Sequence, residues 1–240
     1  MNVNEVDGFL TSFVRRHRLI LDRVSYLQTQ TLELALAVSV SQHYALAGFT
    51  ISTVNPRGNA FVVKTSTRGH PASYSRFVVS RSASSYEINM NLLVRSAHDD
   101  GIYCVDLAVT REGKVPTSTQ PPKWICLTND DLITFAEAKK LVIYPMLIAQ
   151  FIGIVHEISP QFLGNPSLSG LTRSGHFPPT LVCLGYYSGT SQSIVSSLYR
   201  RGIRLQIVPD FDTKLAQLRR GDQTSPFNTY RSASRRSRPI

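Results

Sequence analysis

The chain has 240 residues, with 26 Lys and Arg against 16 Asp and Glu and an apolar share of 42%. That length supports one substantial core, and the apolar share excludes a chain disordered throughout. A net charge of +10 and an isoelectric point near 9.8 favour a polyanionic partner, since phosphate contacts release counterions and steer encounter.

Three cysteines without CxxC spacing argue against a zinc ribbon and against a secreted disulfide framework; Cys104 and Cys183 sit in apolar, strand-like runs and read as buried free thiols. No basic stretch leads into an apolar one at the start, so no secretory signal is read there. The apolar run at 141–155 is interrupted by Pro145 and Gln150 and is too short to span a bilayer. The expectation is a cytoplasmic protein without membrane association.

Residues 8–47 read as helical, because Phe9, Phe13, Leu19, Leu27, Leu34 and Val38 recur at helix-compatible intervals. A break is expected at 25–31, and Gly48 supplies the stop. Residues 49–54 alternate as a strand, Asn55-Pro56-Arg57-Gly58-Asn59 is turn chemistry, and 60–65 resumes the strand before a polar loop at 65–75. Residues 87–94 and 101–109 are two strands joined at Asp100-Gly101, a hairpin signal.

A polar excursion with Pro116, Pro121 and Pro122 leads to 132–139, read as a third strand on imperfect alternation. The local competitor is a helix from Asp131, because Ala-Glu-Ala-Lys-Lys has high helix propensity. The apolar run opened by Pro145 reads as a buried helix. After a Gly/Ser/Pro-rich loop at 159–179, residues 180–187, 191–201 and 203–208 read as strand, helix and strand, the unit that extends a sheet by parallel pairing. The expected organisation is a helical lead-in at 1–47, an α/β core at 48–212 with a central mixed sheet flanked by helices, and a basic, disordered tail at 213–240.

Hydrolysis of a phosphodiester needs charge neutralisation at the phosphate and an activated water. A hard divalent cation on carboxylates supplies both. In an extended segment Glu137 and Lys139 share a face, and Asp106, flanked by Val105 and Leu107, can lie opposite them. A lone carboxylate in such an apolar strand needs a cationic partner.

The order hairpin, Asp on the second strand, Glu-x-Lys on the third, buried helix, then strand-helix-strand resembles the PD-(D/E)xK nuclease superfamily over residues 33–210. Val105 stands where the motif has Pro. The resemblance implies a restriction-endonuclease-like core that binds Mg²⁺ or Mn²⁺ through Asp106 and Glu137, with Lys139 assisting the water. Glu33 on the first helix, or Glu87 on the first strand, would add a ligand, and Gln150 would contact phosphate. It also implies a DNA endonuclease acting in restriction, phage defence, repair or mobile elements. No separate recognition domain is read in the sequence, so targets are expected to be chosen by a protein partner, by homo-oligomerisation or by a nucleic-acid structure.

Each residue has a plainer reading. Glu137 and Lys139 fit an exposed helix, Glu33 an ordinary helix position, Glu87 a strand-edge charge and Gln150 the core. Arg200, Arg201 and Arg204, with the basic clusters at 15–18, 219–220 and 231–238, are candidate DNA-backbone contacts or solvated charge. The six histidines are dispersed without HExxH, no GxSxG is present, and the Gly-rich stretch at 185–189 lacks the P-loop Lys. The competing function is a non-catalytic nucleic-acid-binding or assembly subunit that retains a nuclease-like fold.

Overall fold

The computed structural model describes residues 20–21, 28–115, 125–163 and 176–211, with side chains from residue 31 onward. The expected basic clusters at 15–18, 219–220 and 231–238, the prolines at 116–122 and the tail lie outside these residues.

Helix α1 (Gln28–Leu46) is buried on nearly every side from Leu32 to Tyr44. It ends where expected, on Gly48 at φ +85°. Gly48 N–H donates to Ala45 O (3.0 Å), and Phe49 N–H reaches back to Tyr44 O (3.0 Å). This is the Schellman pattern, closed by edge-on packing of the Phe49 and Tyr44 rings at 5.2 Å.

The expected helix over 8–47 is corrected at 20–21; its residues 8–19 and 22–27 lie outside the described residues. Ile20 and Leu21 form a short strand, β1 (Ile20–Leu21), parallel to β3 (Ala60–Phe61). The strand expected at 60–65 is thereby shortened and moved to a separate two-stranded sheet. Helical spacing of apolar residues cannot reveal a pairing partner forty residues away.

The main sheet has seven strands: β2 (Thr50–Val54), β4 (Arg76–Arg81), β5 (Ser84–Arg95), β6 (Ile102–Arg111), β7 (Leu132–Lys139), β8 (Thr180–Cys183) and β9 (Gln206–Val208). They lie side by side in that order, antiparallel from β2 to β7 and parallel from β7 to β9. The segment at 132–139 is extended, although its alanines and charges favour a helix. Strands on both sides supply ladder partners, and tertiary pairing overrides local propensity.

Helices α2 (Pro145–Ile158) and α3 (Ser191–Arg200) provide the two parallel crossovers. The fold is therefore α/β, a mixed sheet with α1 on one face and α2 and α3 on the other. Among the described residues no helix is long and apolar enough to cross a membrane.

Two cores result. Ile88 and Met90 of β5 pack with α1, whereas Leu92 and Val94 pack with α2. Unbroken alternation would keep residues two apart on one face. Asn91, at φ +49°, interrupts it. In β6 the same exchange falls between Leu107, in the first core, and Val105, in the second.

Candidate active site

The site forms at that rung. The β6–β7 ladder ends with Leu107 opposite Ala136, so the next pair would be Asp106 and Glu137. Side chains replace the backbone there: Asp106 Oδ2 accepts the Ala138 N–H at 2.8 Å, and the Asp106 N–H points to Glu137 Oε1 at 3.4 Å. Lys139 Nζ donates to Asp106 Oδ2 (3.0 Å) and to Glu137 Oε2 (2.7 Å). One ammonium thus joins both acids. The Glu137 side chain is 4% exposed and that of Lys139 35%, so the cluster opens to solvent on the lysine side.

Its electrostatics follow from burial. Burial foremost, then the Asp106 charge, pushes the Glu137 carboxyl up to about 8, against the pull of Lys139. Burial also disfavours the Lys139 cation, but the two carboxylates outweigh it and hold the ammonium above its ordinary range. Two acids share one cation here, and the raised Glu137 carboxyl keeps its proton at neutral pH.

Glu33 approaches from α1. Its Oε2 accepts from Asn91 Nδ2 at 2.8 Å; burial raises its carboxyl, the Asn91 bond opposes the rise, and the Asp106 charge adds to it. Asn91 itself lies opposite Asp106, between the rungs Met90–Leu107 and Leu92–Val105. Its Nδ2 also donates to Lys64 O (2.9 Å), and its carbonyl accepts from Lys64 Nζ (2.7 Å). Lys64 Nζ bonds Ser66 O as well. Burial lowers the lysine from its ordinary value. Asn91 and Lys64 were not among the residues expected at the site, and neither carried a local signal. Cys104 stands nearby: burial, then the Asp106 and Glu137 charges, pushes its thiol up to about 12, which leaves it inert at neutral pH.

The remaining candidates fall elsewhere. Glu87 sits four residues along β5 from Asn91, where it pairs with Arg76 at 3.1 Å. Gln150 is exposed on α2 rather than in the core. Arg200 and Arg201 end α3, on the way to the start of β9, whereas Lys139 ends β7. In parallel strands these are opposite margins of the sheet. Arg204 is 7% exposed, so it is no surface contact; its backbone N–H donates to Phe162 O.

Among the described residues no group of three or more His, Cys, Asp or Glu side chains is arranged to hold a metal ion. Asp106 and Glu137 nevertheless fit Mg²⁺ in kind. They are hard oxygen donors that meet at one cation, and Mg²⁺ is commonly held by one or two carboxylates plus water and phosphate. No family model matches the chain, and no curated protein matches it.

Proposed function

We propose that the protein is a metal-dependent nuclease that hydrolyses DNA phosphodiester bonds through a restriction-endonuclease-like, PD-(D/E)xK-type core. The observation that carries this reading is the joining of Asp106 and Glu137 on one lysine ammonium at the margin of a mixed α/β sheet. Asp106 and Glu137 would hold Mg²⁺ or Mn²⁺, which when bound would neutralise phosphate charge and acidify a water.

The chain's own residues have separate tasks. Asp106 is fixed by the Ala138 N–H, so its second oxygen is presented in a set direction. Lys139, held protonated by both acids, acts as a cation toward phosphate and a donor that orients water, not as a base. Glu33, aimed by Asn91, is the additional carboxylate. The surplus of basic residues suits a duplex backbone, with a role in restriction, phage defence or repair and targets set by a partner or a second copy.

The test is cleavage of plasmid DNA with Mg²⁺ and with chelator, comparing wild type, Asp106→Ala and Lys139→Ala. Loss in both variants, with the fold retained, is expected. Equal cleavage by all three excludes this site. A second reading, a non-catalytic nucleic-acid-binding subunit, is favoured by the lysine that already joins both acids and by the fact that, among the described residues, Glu33 does not close on them to form a group of three metal-holding side chains. It requires salt-sensitive binding without turnover.

A further inference from the structure

Lys64 lies on the connection from β3 to β4, yet it is only 4% exposed. Its ammonium stands on two backbone carbonyls, Asn91 O at 2.7 Å and Ser66 O, with the Tyr74 ring 5.6 Å away. Among the described residues no carboxylate forms an ion pair with it. Burying such a cation is costly, and the cost shows in a lysine lowered from its ordinary value. An apolar side chain would avoid that cost, but it would also leave the Asn91 carbonyl without this donor.

The bond is returned. Asn91 Nδ2 donates to Lys64 O at 2.9 Å and, with its other proton, to Glu33 Oε2 at 2.8 Å. Side chain meets main chain in both directions, and Glu33 hangs from the amide that completes the circuit. The backbone of Asn91 is left-handed, at φ +49°, a conformation that persists only where its surroundings hold it. Asn91 faces Asp106 across the β5–β6 pair, and the Glu33 carboxyl feels the Asp106 and Lys139 charges. The loop that brings Lys64 is closed at its own neck. Ser75 N–H donates to Val62 O and Val62 N–H to Ser75 Oγ, each at 2.8 Å, and Ser75 Oγ donates to Asn55 Oδ1 at 2.7 Å. Within it, Gly69 at φ +90° leaves the Tyr74 ring a place that a Cβ would occupy. The ammonium is therefore delivered from a braced loop.

We infer that Lys64 is a positioning residue of the candidate site: its ammonium on Asn91 O holds the left-handed backbone that aims the Asn91 amide at Glu33, and so sets where that carboxylate stands relative to Asp106. The consequence for a metal ion rests on the nuclease reading; the hold on Glu33 does not.

Two measurements on the full chain test this. The first follows the Asn91 side-chain amide by NMR in metal-free, ¹⁵N-labelled protein. Both protons should be protected from exchange in the wild type, and Lys64→Met should reduce that protection about tenfold. The second measures Mn²⁺ affinity by electron paramagnetic resonance in a cycle of Lys64→Met and Glu33→Gln. Lys64→Met should weaken Mn²⁺ binding on the order of tenfold when Glu33 is present, as loss of an outer support does, and change it little in the Glu33→Gln background. A purely structural lysine would give the same loss in both backgrounds, and that result overturns the inference. So does an Asn91 amide that is unprotected in the wild type or unaltered in Lys64→Met. Should Lys64→Met not fold, Lys64→Gln takes its place in both measurements. If the wild type binds no Mn²⁺, the metal reading is removed, and the Asn91 amide alone decides whether Lys64 positions Glu33.

Discussion

Lys139 Nζ lies 3.0 Å from Asp106 Oδ2, and that same oxygen accepts the N–H of Ala138 at 2.8 Å. The Asp106 carboxylate therefore fastens β6 to β7 at the point where the backbone ladder has ended. Replacing it by Asn keeps an acceptor and the shape while removing the charge. Asp106→Asn should lower Mg²⁺-dependent cleavage at least about a thousandfold, roughly 4 kcal/mol of barrier, with little change in melting temperature. Single-turnover cleavage and a melting curve check the two halves separately.

Removing the ammonium has a different signature. Lys139→Met leaves Asp106 and Glu137 facing each other uncompensated. The metal-free variant should lose about 2 kcal/mol, below the range for fully buried pairs because Lys139 is partly exposed. Mg²⁺ should restore more of the variant's stability than of the wild type's, read as melting temperature against Mg²⁺ concentration.

Glu137 sets one arm of the pH dependence. Its folded-state value, about 8, lies above the ordinary 4.5, so the folded protein keeps this proton longer than the unfolded chain does. The resulting stability is fully present below about pH 4.5 and is lost as pH climbs through about 8. Glu137→Gln should flatten the metal-free melting temperature over that window. An unchanged slope would refute the assignment.

His176 sets the opposite arm. Its Nδ1 is 2.6 Å from the Tyr44 hydroxyl and its ring packs edge-on against Tyr86 at 4.5 Å. Burial first, then His43 and Arg81, lowers it from 6.5 to about 4. Stability from the neutral ring is complete above pH 6.5 and is lost as pH falls toward 4, at most about 3 kcal/mol. Denaturant titrations of wild type and His176→Asn at pH 7 and pH 4.5 measure the difference.

Gly48 offers a test confined to the backbone. A Cβ there meets only Arg81 Cδ at 3.9 Å, so the cost of Gly48→Ala is the left-handed φ alone. A loss of about 1–2 kcal/mol is expected. Equilibrium unfolding gives it directly.

How much of this was legible beforehand depended on whether the cause was local. The Asp100-Gly101 hairpin, the Gly48 stop and the Pro145 start each rest on a few neighbouring residues, and they stand where the residues put them. Bringing Glu137 and Lys139 to one side of β7 needed only the period of two. Strand β4 was not read, because Arg76, Ser80 and Arg81 leave just Phe77, Val78 and Val79 as an apolar signal; β2 and β5 hold it from both sides. Lys64 stood in the strand expected at 60–65, yet it lies beyond β3 with its ammonium on the backbone carbonyl of Asn91, a partner no neighbouring residue announces. Arg204 sat in an arginine-rich stretch, yet the chain turns inward at Leu205 and carries it along.

The exchange of faces at Asn91 has a consequence for how the molecule tolerates change. Because β5 serves one hydrophobic layer up to Met90 and the other from Leu92, neither layer can be repacked alone. A side chain that refuses the left-handed turn at position 91 would send the following apolar residues to the wrong layer. The loss would be felt first by Glu33 and Asp106, which sit at the hinge of that exchange and depend on both halves keeping step.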